Sequence, residues 1–217
     1  MSAEVPTVSW IARTLRLALE SSPLTRGGLV VALGLTMSGC TRAQLHGQSP
    51  AYVIVRSLEG APGADAATFD YTLRSDVSTN GVVLEDMGRV SFALALRDPG
   101  AAALPQSPTP SNFISFARYH VRFSRADGRD TAGVDVPHPF DAAMTLTVDA
   151  GGAVGTFTLV RLQSKLEPPL LALRNQGGAV AISTIAEVTF HGADQAGRPV
   201  SALGRISVNF ADWADPV

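Results

Sequence analysis

Along most of the chain, apolar and polar residues alternate with a period of two, the spacing that puts every second side chain on one face of a strand. Val90, Phe92, Leu94 and Leu96 alternate with Arg89, Ser91, Ala93, Ala95 and Arg97. Phe113, Ser115, Ala117, Tyr119, Val121 and Phe123 are set against Arg118, His120 and Arg122, and shorter stretches repeat the pattern at Phe69, Tyr71 and Leu73 and at Met144, Leu146 and Val148. Each predicts a strand with one dry and one wet face.

The C-terminal region predicts a hairpin. Val180, Ile182, Ala186, Val188 and Phe190 form one apolar face and Val200, Ala202, Ile206, Val208 and Phe210 its mate, joined through Ala193 to Arg198 with Gly197 free to take positive φ. A second hairpin is expected where Val148 to Val154, with Gly151 and Gly152, turns into Thr156, Phe157, Thr158 and Leu159. One short helix is expected over residues 168–176, beginning at Pro168 and closed by Gly177 and Gly178. Residues 59–67 and 98–111 read as exposed loops, the second carrying Pro99, Pro105, Pro108 and Pro110. About eight short strands and one helix predict an all-β, antiparallel two-sheet β-sandwich over residues 51–217. The final hairpin, VTFHGADQAGRPVSALGRISVNF, resembles the last hairpin of bacterial immunoglobulin-like and fibronectin-type domains. That resemblance covers only this hairpin and implies an immunoglobulin-like fold without implying an activity.

The N-terminal region breaks the alternation. Residues 29–37, LVVALGLTM, form an apolar run behind Arg26 and are followed by Ser38, Gly39 and Cys40. A positive flank, a short apolar stretch and small residues are the order of a signal peptide, and the run is about half the roughly 20 residues that a transmembrane helix needs. Met37-Ser38-Gly39-Cys40 resembles the lipobox of bacterial lipoproteins, with Met37 where that family usually has Leu. The resemblance implies cleavage after residue 39, a diacylated Cys40 as the new N-terminus, and palmitate-type acyl chains in the cell envelope. Because Thr41, not Asp, follows the cysteine, it further implies the outer membrane in a Gram-negative source. Two chains supply the stable anchoring that one cannot.

The preface SWIARTLRLALESS, with Trp10, Ile11, Leu15, Leu17, Ala18 and Leu19 among Arg13, Arg16 and Glu20, has the pattern of a short amphipathic helix and is long for a signal. It reads as a benign extension or as sequence upstream of the true start. Residues 1–39 are thus expected to be signal plus extension, and residues 40–50 the lipidated cysteine and a tether ending in Pro50.

Composition narrows the function. With 46% hydrophobic and 17% charged residues the chain is globular, and a net charge of -2 gives no electrostatic drive towards nucleic acid. Cys40 is the sole cysteine, which removes intramolecular disulfides and multi-cysteine metal clusters. Nearly all basic residues are Arg, Lys165 being the only Lys.

Candidate chemistry concentrates in ADGRDTAGVDVPHPFD, where Asp127, Asp130, Asp135, His138 and Asp141 crowd a polar stretch that would suit a cation such as calcium. The spacing is not that of an EF-hand, and Asp127-Gly128 is equally a turn dipeptide. His120 and His191 fall on wet strand faces, and His46 in the tether. No Gly-x-Ser-x-Gly elbow occurs. Paired glycosidase carboxylates, which need not be close in sequence, remain open among Glu59, Glu85, Glu167 and Glu187, the last read as a wet-face residue. Trp213 between Asp212 and Asp215 reads as packing over an open end of the sandwich, with ligand contact as the alternative.

The expectation is a non-catalytic, lipid-anchored envelope domain for protein or glycan contacts, with no cofactor. The alternatives are a calcium-dependent binder or enzyme using the Asp127–Asp141 loop, and a structural subunit of an envelope complex.

Overall fold

The computed structural model describes residues 47–213. The signal segment, Cys40 and most of the 40–50 tether lie outside the described residues. Strand β1 (Ala51–Ala61) pairs antiparallel with β3 (Asp86–Leu96), and β3 with β8 (Ala153–Val160), in a three-stranded sheet ordered β1-β3-β8. A five-stranded sheet is ordered β2 (Thr72–Asp76), β10 (Pro199–Ala211), β9 (Ile182–Asp194), β6 (Ile114–Ser124) and β7 (Phe140–Val148). Two-residue strands β4 (Gly100–Ala101) and β5 (Leu104–Pro105) make a separate ribbon.

The all-β, sandwich-like character expected from the alternation is present. The wholly antiparallel arrangement is corrected, because β2 lies parallel to β10, from Thr72 beside Ser207 to Asp76 beside Ala211.

Aromatic rings from both sheets meet in one core. Phe190 of β9 packs against Phe92 of β3 at 5.0 Å, Phe116 of β6 at 6.0 Å and Phe157 of β8 at 5.4 Å. Phe92 also stacks on Phe116 at 4.9 Å. Edge-to-face and offset contacts of this kind add to the burial of large apolar surfaces. Gly88 makes room for them: a Cβ there would come within 2.5 Å of the Phe157 ring.

Several local expectations are revised. In β6 the inward residues are Ile114 and Phe116, then Tyr119, Val121 and Phe123, while Ser115 and Ala117 face out. The phase changes because the register slips between Phe116 and Arg118, where Ala117 is an extra residue. A bulge of this kind moves every preceding side chain to the opposite face. Gly192 lies opposite, and a Cβ there would meet the Ser115 carbonyl oxygen at 2.2 Å.

The turn after Val148 is present, closed by an Asp149–Gly152 bridge, but it joins strands of different sheets, so the expected hairpin is a corner. In β2 Leu73 is buried, whereas Tyr71, just before the strand, is 69% exposed. Val180 precedes β9 and is exposed. The C-terminal hairpin forms as expected, with Gly197 at φ +80.

The helix expected at 168–176 is displaced. Helix α1 spans Leu162–Leu166, ahead of the prolines, and Leu170–Leu173 makes only a 3-10 turn. Pro168 disfavours a helical conformation in the residue before it, and Glu167 is extended at φ -119, ψ 158. Downstream, Arg174 is extended, its guanidinium donating to the Lys165 carbonyl at 3.3 Å, while Asn175 takes φ +59 with its N–H on the Asp212 carboxylate.

Lys165 points from α1 into the interior. Its Nζ donates to Asp86 Oδ1 at 2.7 Å, and both side chains are essentially without solvent exposure. Asp86 also accepts from Ser75 Oγ of β2 at 2.6 Å and from the Gly63 N–H at 2.9 Å. Burial pushes the Asp86 carboxyl up, against the opposing pull of Lys165 and the hydrogen bonds.

Removing one partner of a buried pair strands the other charge, at a cost of about 3–5 kcal/mol. Urea unfolding of Lys165→Met should therefore show a loss of that size, whereas Lys165→Met combined with Asp86→Leu should recover most of it. A double variant as unstable as the single one would contradict this account.

Candidate functional site

The loop between β6 and β7 holds the acidic cluster singled out in the sequence, and the structure disperses it. Asp127 is clamped by Arg125 at 2.8 Å and Arg129 at 2.7 Å, whose hydrogen bonds hold its carboxyl well below the usual carboxylate range. Asp130 accepts from the Arg125 N–H at 2.7 Å and Asp135 from the Thr131 N–H at 3.2 Å, both closing local turns. His138 lies across Gly133, whose φ of +76 and missing Cβ admit the imidazole. Asp141 already belongs to β7, where it meets Arg118 Nη1 and His120 Nδ1, each at 3.2 Å. Buried Val136 and Phe140 fasten the loop to the core. Among the described residues, no three His, Cys, Asp or Glu side chains group so as to hold a metal ion.

What the structure brings together instead is a groove on the outward face of the five-stranded sheet. Ser115, Ala117 and Arg118 of β6, His191 and Gly192 of β9, and Val200 and Ser201 of β10 line a volume of about 660 Å³. Its origin is the bulge. The extra residue pushes Ala117 outward, while Gly192 and Ala193 beside it have little side chain with which to fill the dent. Arg118 and His191 are register partners across the β6–β9 ladder, which places guanidinium and imidazole side by side. Partial burial, with Arg118 next in size, lowers the His191 pKa from 6.5, so the ring is neutral at pH 7.

Ser115 Oγ is engaged by Thr147 Oγ1 at 3.0 Å. The groove thus offers one guanidinium, a neutral imidazole and hydroxyls beside small apolar surfaces, a set suited to hydrogen bonding a polar ligand. Sequence placed His120 and His191 on a wet face correctly, but neither the bulge nor Gly192 opposite it carried a signal that would have located the groove.

Below the groove, Glu187 bonds to Arg122 at 2.6 Å and Arg205 at 2.7 Å across three strands, and these two partners lower its pKa. This is the wet-face placement expected for Glu187. Glu59 is likewise committed, in an ion pair with Arg89 of the neighbouring strand. Trp213 packs over the β2 edge, its indole N–H donating to the Ser75 carbonyl at 3.2 Å and its ring lying 4.4 Å from the Arg74 guanidinium.

The chain matches no family model, no curated protein and no solved structure.

Two outcomes are expected. NMR titration of His191 should give a midpoint below 6.5, moving upward in Arg118→Ala; a midpoint above 6.5 would contradict the geometry. The sign of the linkage follows: the unfolded chain binds the proton first, so this ring's contribution to stability is complete above pH 6.5 and declines as pH falls towards the folded-state value. Millimolar calcium should leave Tm unchanged, since the loop carboxylates are already occupied by arginines and backbone N–H groups; a calcium-dependent rise would restore the loop as a cation site.

Proposed function

We propose that this chain is a bacterial lipoprotein whose folded domain is a non-catalytic, immunoglobulin-like sandwich that makes protein or glycan contacts in the cell envelope. The observation that carries the anchor is positional. The sole cysteine stands behind the apolar run of residues 29–37 and two small residues, nine positions before Ser49, where the chain becomes attached to the domain. Ser49 is buried, its carbonyl accepting from Arg97 Nε at 2.9 Å, and the Pro50 carbonyl accepts from the Arg97 N–H at 2.9 Å. Among the described residues no helix is long and apolar enough to cross a membrane. Acyl chains on Cys40 would supply the attachment.

The three- and five-stranded sheets sharing one aromatic core support the immunoglobulin-like reading, together with the hairpin sequence. Thr41 favours the outer membrane. The groove at Arg118 and His191 is the recognition surface that the chemistry favours, because polar donors lie beside small apolar patches on a rigid sheet. Its hydroxyls and imidazole suit the hydroxyl groups of a glycan or the backbone of a peptide.

Intact mass of the N-terminal peptide from membrane-extracted protein tests the anchor. A diacylglyceryl adduct on Cys40, absent together with membrane association in Cys40→Ser, is the expected result. An unmodified chain beginning at Met1 would overturn it.

A further inference from the structure

The end of the domain at which the chain enters is unlike the opposite end. Leaving β3, the chain passes Arg97, which holds Pro50, and within three residues starts the β4–β5 ribbon. The ribbon tip is Ala101 to Leu104, all exposed, with Leu104 at 79%. From Pro99 to Ala117 there is no charged side chain. The ribbon is already folded: Gly100 pairs with Pro105 and Ala101 with Leu104, the Gln106 N–H donates to the Pro99 carbonyl at 2.8 Å, and the Gly100 N–H to Asp98 Oδ1 at 2.9 Å.

On the same end, β1 turns Tyr52 and Ile54 outward, 39% and 45% exposed, with the Arg97 guanidinium 5.8 Å from the Tyr52 ring. An aromatic with a polar tip beside a cation is the pairing found where acyl chains give way to headgroups. The opposite end, reached along the eleven residues of β6, or about 35 Å, includes the loop bearing Arg125, Asp127, Arg129, Asp130 and Asp135.

We infer that the β4–β5 ribbon, with the adjoining face of β1 at Tyr52 and Ile54, rests on the lipid surface that holds Cys40, the Leu104 side chain entering the acyl boundary. This rests on lipidation of Cys40. Nine positions of chain between Cys40 and Ser49 reach at most about 30 Å, so the anchored domain cannot stray far from the bilayer. At its entry end the β4–β5 ribbon offers an exposed apolar tip with no charged side chain from Pro99 to Ala117. A contact too weak to recruit the free protein suffices once two acyl chains hold the domain at high local concentration. The pairing of Gly100 with Pro105 and of Ala101 with Leu104 reduces the polar backbone that would lose water at the boundary. The groove at Arg118 and His191 stays on a sheet face, accessible to its ligand, and the charged loop stands farthest from the lipid.

The test uses the full membrane-extracted chain carrying Leu104→Cys, in which acylation of Cys40 leaves position 104 as the one free thiol. Intact mass first establishes the acyl adduct. The thiol is labelled with an environment-sensitive fluorophore, and the protein is reconstituted into phosphatidylcholine–phosphatidylglycerol vesicles containing nitroxide-labelled lipid. Val134→Cys, in the charged loop and 67% exposed, serves as the reference position. Blue-shifted emission at 104, with quenching several-fold stronger than at 134, is expected. Equal, water-like emission at both positions in acylated protein would overturn the lipid contact while leaving the anchor intact. A mass without the adduct would overturn the anchor, and this inference with it.

Discussion

Three connections that pass between the sheets converge on one buried ion pair. Asp86 begins β3, at the centre of the three-stranded sheet; Ser75 belongs to β2, on the edge of the five-stranded sheet; Lys165 arrives on α1, the start of the passage from β8 to β9. The Gly63 N–H adds the turn that follows β1. Taking both charges out of water is costly, and the hydrogen bonds around them recover that cost only when all partners arrive together. We read the pair as a device of specificity more than of net stability. A β8–β9 passage docked one turn out of place would leave the only lysine of the chain buried without its carboxylate.

The interior also shapes the exterior. Phe116 and Phe190 can both point into the aromatic core because β6 takes up an extra residue at Ala117, and β9 tolerates that kink because residue 192 is glycine. The same two residues leave the dent on the outer face between Arg118 and Ser201. A bulge that re-aims a side chain beside a candidate binding surface is a common use of such irregularities. Here its cause lies in the packing of rings on the other side of the sheet.

The ends and faces of the domain differ in chemistry. The chain enters beside the uncharged tip of the β4–β5 ribbon, the ion-paired loop after β6 lies at the far end, and the groove lies on the sheet face. The cation site that the acidic loop invites is dismantled by its own neighbours: two arginines take Asp127, turn N–H groups take Asp130 and Asp135, and a cross-strand pair takes Asp141.

Period-two alternation by itself determined that the domain is β-rich, where β3, β7, β9 and β10 run, and that the last two form a hairpin, because side-chain direction in a strand is a local property of the chain. The apolar run and lone Cys40 likewise make the case for an anchor from sequence order alone. Strand partners, by contrast, are long-range. The turn after Val148 looks like a hairpin locally, yet β8 joins β3, since Phe157 has a place over Gly88 that no local pattern announces. Only the tertiary structure decided the phase of β6, the place of the helix and the partners of the acidic loop. Each depended on what packs against it from elsewhere: Gly192 opposite Ala117, Asp86 awaiting Lys165, and arginines and backbone donors within reach of each carboxylate.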